Sequence, residues 1–477
     1  MQRERIGEVC RTVLKRIVPS EKQRREVEAL AKRLERRVAL AAKEFGVDAE
    51  VRLTGSVAKD TWLSEDPDID VFLRVPRSIP RKRLGEVCLK IAGKATEGSK
   101  HVERFAEHPY LEAFVEGYRV NIVPCYKVER GEWLSATDRT PFHTDYVNER
   151  LKPELCDEVR LLKRFMKGIG VYGAEIKIGG FSGYLCELLT LFYGSFLRVL
   201  EAFAGLRRRL IVDIEGYYNG RMDELALLFK EPLVVVDPVD KGRNVASAVQ
   251  KEKLYGFVAA ARAFLKNPSV WFFYPSEIKP LGRGQLEQAL KNRGSSLLFL
   301  VFGRVEAVPD VLWGQLYRSL RSLRRLLALH GFSVLRSACW SDEESLNVFV
   351  FELAQKRIPL VKCHLGPPLE KSVECERFLR KHSGRPETVA GPYVEDGRWV
   401  VLVKRQYTDA VDLLRDKLKN GRSVGVAEKI SRVFRDEGFR IFVNGEIADL
   451  YEENRGFARF LTEFLSGKPR WLETVSG

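Results

Sequence analysis

A chain of 477 residues is long enough for about three domains, each able to bury a core. Its 45% apolar and 30% charged content excludes a disordered polypeptide, and a net charge of +15 on a mixed surface suits a partner that is a polyanion. The 8 cysteines show no C-x-x-C and no zinc spacing, which argues against a metal finger or a disulfide framework. The charged stretch from Met1 to Val18 reads neither as a signal peptide nor as a membrane span, so a cytosolic protein with no membrane partner is expected.

The first strong pattern is a helix. Ser20 and Gln23 form a capping box; Val27, Leu30, Leu34, Val38 and Ala41 then recur every three or four residues, and Gly46 closes the run. A strand follows over Val51–Thr54, then Gly55-Ser56, a short helix-compatible run, and a second strand that carries Asp68 and Asp70. Residues two apart on a strand share a face, so the two carboxylates project together. Such a pair repels itself unless a cation intervenes, and a hard divalent ion with oxygen ligands is the usual one. Gly55 lets backbone approach a ligand closely, and Ser56 with the following amides stands where a helix start can take a phosphate. An acidic stretch with Glu65 and Asp66 is by itself an ordinary solvated turn. Grip and carboxylate pair together point to a nucleoside triphosphate held by magnesium.

A helix over Pro80–Gly98 comes next, then two strands, Tyr110–Val115 and Tyr118–Val123, joined at Glu116-Gly117 as a hairpin. Leu185, Leu188, Phe192, Phe196 and Leu200 keep helical spacing and are expected to pack a helical middle region. After Pro275 the composition changes. Strands at Ser296–Gly303, Phe332–Cys339, Leu346–Leu353 and Trp399–Lys404 alternate with helices at Pro309–Leu329, Leu369–Lys381 and Thr408–Lys419, which predicts an α/β or α+β domain with one sheet. Glu395-Asp396-Gly397 marks a hairpin turn. In the helix from Pro309, Leu316, Leu320, Leu323 and Leu327 form an apolar stripe. Arg318, Arg321, Arg324 and Arg325 stay largely off it, on a basic face of the kind that is usually just solvated and that can also track phosphates if the partner is a nucleic acid. The tail from Asn420 to Gly477 offers helices at Val424–Glu437 and Glu453–Leu465 around a strand at Phe439–Val443.

The G-S…D-x-D order resembles the nucleotidyltransferase signature of the DNA polymerase beta superfamily. The runs E-H-P-Y (107–110), V-P-C-Y (123–126), D-R-T-P-F-H (138–143), V-R-L-L-K (159–163), Y-G-A-E (172–175), G-F-S-G-Y-L-C-E-L-L (180–189) and V-D-P-V-D-x-x-R-N-V-A (236–246) resemble, in that order, the archaeal class I tRNA CCA-adding nucleotidyltransferases. The resemblance implies an α+β multidomain fold. A polymerase-beta-like head with a mixed sheet spans 1–150, a helical nucleotide-binding domain 151–275, and an α/β RNA-binding body and tail 276–477. It also implies template-independent addition of C, C and A from CTP and ATP to a tRNA 3′ end, with pyrophosphate leaving and two Mg2+ ions assisting. Asp68 and Asp70 match the metal-bridging pair. Ser56, Lys59, His143, Lys163 and Tyr172 match nucleotide contacts, Lys59 standing where the family prefers Arg, and Arg243 matches the arginine that helps read the base. The partners implied are the acceptor stem and T arm of tRNA and, as in many family members, a second copy of the chain.

One position departs from this pattern. The third metal-binding carboxylate maps to Asn121, whose amide brings neither negative charge nor a proton acceptor. The ion that activates the 3′-hydroxyl is then held more weakly. The chain is an enzyme inactivated on purpose, a variant of reduced or manganese-dependent activity, or a pseudo-enzyme that binds tRNA ends without extending them. Within the enzyme class, a poly(A) polymerase or an oligoadenylate synthetase is the rival reading, set apart by making a long homopolymer rather than three added nucleotides.

Overall fold

The computed structural model describes residues 2–105, 108–419 and 421–474, so Glu107, Asn420 and the last residues of the tail lie outside it. Two compact units are formed, residues 1–276 with 468–477, and residues 277–467.

In the first unit, helices α1 (Gln2–Ile17) and α2 (Glu21–Glu44) precede β1 (Glu50–Thr54), the single-turn α3 (Gly55–Ala58) and β2 (Asp68–Val75). Ser20 caps α2 as expected, its hydroxyl accepting from the Gln23 amide while the Gln23 side chain answers the Ser20 amide. Helix α4 (Arg81–Ala95) leads into β3 (Lys100–Phe105), β4 (Pro109–Val115) and β5 (Tyr118–Tyr126), completing a five-stranded sheet of order β1-β2-β5-β4-β3. The β4–β5 hairpin turns at Glu116 (φ 53°) and Gly117 (φ 85°), two successive left-handed residues that match the twist of the strands.

Period 2 then decides what faces where. Ile69, Val71, Leu73 and Val75 of β2, with Val120 and Ile122 of β5, are buried against α2 and α4. Asp68 and Asp70, and Arg119 and Asn121, must therefore take the opposite face. Strands β2 and β5 run parallel, in a register that sets Asp68 beside Arg119 and Asp70 beside Asn121.

Helices α5 (Arg139–Arg150), α6 (Pro153–Gly168), α7 (Gly183–Tyr193) and α8 (Phe196–Ala204) follow, then a small ladder of β6 (Leu210–Val212) and β7 (Leu233–Val235) around α9 (Met222–Leu228), and α10 (Lys251–Lys266). Phe165 of α6 sits inside an aromatic cluster of Phe196, Phe257, Phe264, Phe272 and Phe273. The apolar stripe read through Leu185–Leu200 is not one helix. Gly194, at φ 82°, ends α7, and Ser195 caps α8 after a 91° bend. Phe192 falls at that bend and is exposed rather than in the core. Among the described residues no single helix is long and apolar enough to cross a membrane.

The second unit contains α11 (Arg283–Lys291), β8 (Ser296–Phe302), α12 (Pro309–Leu329), β9 (Val334–Ser341), β10 (Asn347–Leu353), β11 (Val361–Pro368), α13 (Ser372–His382), β12 (Thr388–Glu395), β13 (Arg398–Lys404), α14 (Ala410–Leu418), α15 (Glu428–Asp436), β14 (Arg440–Val443), α16 (Ala448–Glu453) and α17 (Arg455–Ser466). The expected single sheet is two. A four-stranded sheet of order β14-β8-β10-β9 has helices on both faces, which is why β8 and β10 read as unbroken apolar runs. The separate three-stranded sheet, β11-β13-β12, packs one face on α13 through Phe378, Val401 and Val403. On α12 the expected apolar stripe is buried, with Leu320 only partly so, while Arg318, Arg321, Arg324 and Arg325 are exposed.

Candidate active site

The cleft face of β2 and β5 is a row of charges. Asn121 Nδ2 donates to Asp70 Oδ1 at 2.9 Å. Arg119 grips Asp68 with two nitrogens, Nη2 lying 2.9 Å from Oδ2, and reaches Asp66 at 3.2 Å; Lys167 of α6 closes on the other oxygen of Asp66 at 2.9 Å. Burial holds the Asp70 carboxyl up at about 6, with Asp68 beside it adding to the shift against the Asn121 hydrogen bond. Burial also raises Asp68, opposed by Arg119. Gly55, at φ 71°, packs its Cα face on this carboxylate; a Cβ there would fall 2.0 Å from Asp70 Oδ2, so no side chain fits.

The fit to a divalent cation can be judged from these groups. Two hard-oxygen carboxylates on one face, both pushed above their ordinary range, fit such an ion, although Arg119 occupies Asp68 in this structure. The third corner supplies only a neutral amide. Among the described residues no cluster of three or more acidic, histidine or cysteine side chains able to hold a metal is present.

Behind this edge the loop after α3 is locked down by α6. Arg160, buried, donates to the carbonyls of Asp60 and Trp62 and pairs with the carboxylates of Asp60 and Asp157. One turn further along α6, Lys163 points the same way. Its ammonium lies 3.1 Å from the Thr61 carbonyl, 2.9 Å from the Thr61 hydroxyl and 3.0 Å from Glu187 Oε1. Lys59 takes the other oxygen of Glu187 at 2.5 Å, and the Thr61 hydroxyl donates to Oε1 at 2.6 Å. A single buried carboxylate from α7 thus anchors both lysines, leaving the cluster one charge positive. Burial alone would raise Glu187, but Lys163 and Lys59 outweigh it and hold the carboxyl at about 2. Lys163 is lowered, chiefly by desolvation.

A third group sits on Asp237. His143 Nε2 lies 2.9 Å from one of its oxygens and Arg243 Nη1 2.6 Å from the same one, while the Tyr184 hydroxyl donates to the other at 3.3 Å. The His143 ring stacks on Tyr184 with centroids 4.1 Å apart. Burial pulls His143 down, against its hydrogen bond to Asp237, so it is lowered from its ordinary value. Asp237, despite its own burial, is held at about 2 by His143 and Arg243. Lys59 lies 5.8 Å from the Tyr184 ring and so joins the second group to the third.

Ser56, Asp68, Lys163 and Tyr172 line one pocket of about 390 Å³, to which Arg119 and Lys167 also contribute. Lys59, Asp70, Asn121, His143 and Arg243 are not among the residues that line it; Lys59 ends on Glu187, and His143 and Arg243 on Asp237. Arg318, Arg321, Arg324 and Arg325 belong to the other unit. The sequence reading missed Arg119, Glu187 and Asp237. Each had a signal. Arg119 shares a strand face with Asn121, Glu187 is the one acid in an apolar helix, and Asp237 lies inside the V-D-P-V-D run. In D-R-T-P-F-H the aspartate proves structural, since Asp138 accepts from the amides of Tyr126, Leu134 and Ser135 at 2.7, 2.8 and 2.7 Å.

Three family models match successive parts of the chain. Residues 35–147 match the family model for a nucleotidyltransferase domain, 157–274 that for the second domain of tRNA nucleotidyltransferase, and 293–444 that for the C-terminal domain of CCA-adding enzyme. The CCA-adding enzyme of Methanosarcina barkeri is 39% identical over 443 residues, covering 92% of this chain and 94% of its own. That of Methanothermobacter thermautotrophicus is 38% identical over 463 residues, covering 95% and 97%. That of Halobacterium salinarum is 40% identical over 412 residues, covering 86% and 88%. With relatives of this identity and extent, the chain belongs to the CCA-adding enzyme family and is a tRNA nucleotidyltransferase.

Proposed function

We propose that the protein adds C, C and A to the 3′ end of tRNA from CTP and ATP without a template, and that Asn121 slows the reaction. The carrying observation is the register that sets Asp68 and Asp70 beside Arg119 and Asn121, with Asp68 and Arg119 on the wall of a pocket that Ser56, Lys163 and Tyr172 also line. The new bond joins the tRNA 3′-oxygen to the α-phosphorus; the α–β bridge breaks and pyrophosphate departs. Asp68 and Asp70 would hold the divalent ions, with Asn121 as a neutral donor, and when bound the metal supplies charge neutralisation and a more acidic 3′-hydroxyl.

The protein's own side chains do the rest. The surplus positive charge of Lys59 and Lys163 over Glu187 attracts the triphosphate, and their anchoring keeps the ammonium groups from collapsing onto the aspartates. Ser56 follows the glycine that shapes this edge. Arg243, tethered to Asp237 yet part exposed, would read the base edge, and His143, stacked on Tyr184 and bonded to the same oxygen of Asp237, would hold that tether in place. Arg119 neutralises Asp68 and must release it for a cation to bind there. Residues 1–150 would carry the chemistry, 151–275 the nucleotide, and 276–477 the RNA through the arginine face of α12.

A specific observation favours a second reading, a homologue that binds tRNA ends without extending them: Asn121 and Arg119 already satisfy both aspartates. Extension of a tRNA lacking its CCA end, with the products sequenced, separates the two. The expected product carries C, C and A and stops. A long homopolymer, or bound but unextended tRNA with either magnesium or manganese, contradicts the proposal.

A further inference from the structure

Strand β5 answers each carboxylate of β2 with a nitrogen donor. Asp70 meets the Asn121 amide, and Asp68, two residues earlier, meets the Arg119 guanidinium. The second pair is the stronger one. Arg119 presents Nε and Nη2 to the two oxygens of Asp68, the bidentate form of a charge-assisted bond. The same Nη2 lies 2.9 Å from Asp68 Oδ2 and 3.2 Å from Asp66 Oδ1. A positive nitrogen held between two carboxylate oxygens occupies the place that a divalent cation would take on Asp68. It cannot leave by losing its proton, because a guanidinium stays charged at any working pH. It leaves only when another anion takes it.

The pocket supplies a place for that anion. Arg119 stands on its wall with Ser56, Lys163 and Lys167. Lys167 pairs with the other oxygen of Asp66 at 2.9 Å, so Arg119 and Lys167 already balance Asp66 and Asp68. A divalent ion added on Asp68 would leave that group positive by the ion's full charge, with a freed guanidinium beside the pocket. A triphosphate arriving alone would meet a guanidinium already engaged by Asp68. Either ligand alone is disfavoured, and the two together close the balance. The parallel ladder fixes the Arg119 backbone beside Asp68, while its side chain is 37% exposed, so the exchange needs only side-chain rotation.

We propose that Arg119 has two positions: it holds Asp68 in the empty site and passes to the phosphates of the incoming nucleotide when a divalent ion takes Asp68, so that ion and nucleotide bind cooperatively through it. This rests on the reading that Asp68 and Asp70 hold the ions. Linkage makes the effect reciprocal, each ligand tightening the other by the same factor. The test uses the full-length protein beside Arg119→Ala and Arg119→Lys, the second of which keeps the charge and loses the fork. Mn2+ binding is followed by electron paramagnetic resonance, first without nucleotide and then with a CTP analogue whose α–β bridge is an uncleavable methylene. Without nucleotide, Arg119→Ala is expected to bind Mn2+ roughly tenfold more tightly than the parent, with Arg119→Lys in between. The tightening that the analogue brings to the parent should shrink by the same factor in Arg119→Ala. At saturating Mn2+ the analogue should bind more weakly to Arg119→Ala than to the parent. Mn2+ affinity in Arg119→Ala equal to or below the parent's overturns the proposal and leaves the metal reading intact, as does analogue binding at saturating Mn2+ that the alanine leaves unchanged. Asp68→Asn tests the metal reading itself. Mn2+ bound as tightly by Asp68→Asn as by the parent, or by neither, overturns that reading and the proposal with it.

Discussion

Replacing Glu187 by alanine is expected to lower the stability of the first unit by about 3–5 kcal/mol, the cost of leaving buried charges without their partner. For a unit of this size that moves the thermal midpoint down by on the order of 10 °C. Glu187 is 1% exposed, and both Lys59 and Lys163 end on it, with the Thr61 hydroxyl as a third donor. Removing the carboxylate leaves two buried ammonium groups without a counter-charge, Lys163 keeping only its contacts to Thr61. The sign with pH follows from the carboxyl being held at about 2, below its ordinary 4.5. Its contribution is present above about pH 4.5 and lost as pH falls towards 2. Thermal melts across that range should show parent and variant converging in acid. A midpoint shift under about 2 °C at neutral pH would contradict the anchoring role.

Asp70→Asn is expected to act in the opposite sense on stability and to abolish activity. The Asp70 carboxyl is raised to about 6 by burial and by Asp68, so its ionised form weighs against folding. A group raised in this way contributes stability below its unfolded value that is lost as pH rises through about 6. Without divalent ions at pH 8 the amide variant should therefore melt at or above the parent's temperature. Single-turnover extension should fall by at least about 10³-fold, because the nucleotidyl group in transfer would lose the divalent charge that Asp70 would hold opposite it. A site that costs stability in exchange for chemistry is the expected trade. Lost activity together with a large loss of stability would show instead that Asp70 is structural.

These two residues also mark how far the sequence could be read. Asp68 and Asp70 were legible because period 2 alone puts them on one face, and the apolar alternation of Ile69 and Val71 names the face. The capping box at Ser20 and the hairpin at Glu116-Gly117 are local and were equally visible. Glu187 was not, since its role depends on Lys59 and Lys163 arriving from distant elements, and α7 otherwise reads as plain core. Arg119 needed the β2–β5 register, which no local pattern supplies. Strands β11 and β12 were missed because each is an edge of its sheet and carries Gly-Pro, the punctuation of a loop. One sheet was expected where two exist, since without those edges β13 had no sheet of its own.

The measurement that bears most directly on the account sets the parent beside Asn121→Asp, with tRNA lacking its CCA end, CTP, ATP and a titration of magnesium. The acid restores a third charged ligand next to Asp70, so the variant should add C, C and A at least about tenfold faster and reach half-maximal rate at lower magnesium. The parent should extend slowly and gain more from manganese than the variant does. A parent that extends as fast as Asn121→Asp, at the same magnesium concentration, would contradict the claim that position 121 completes the metal site.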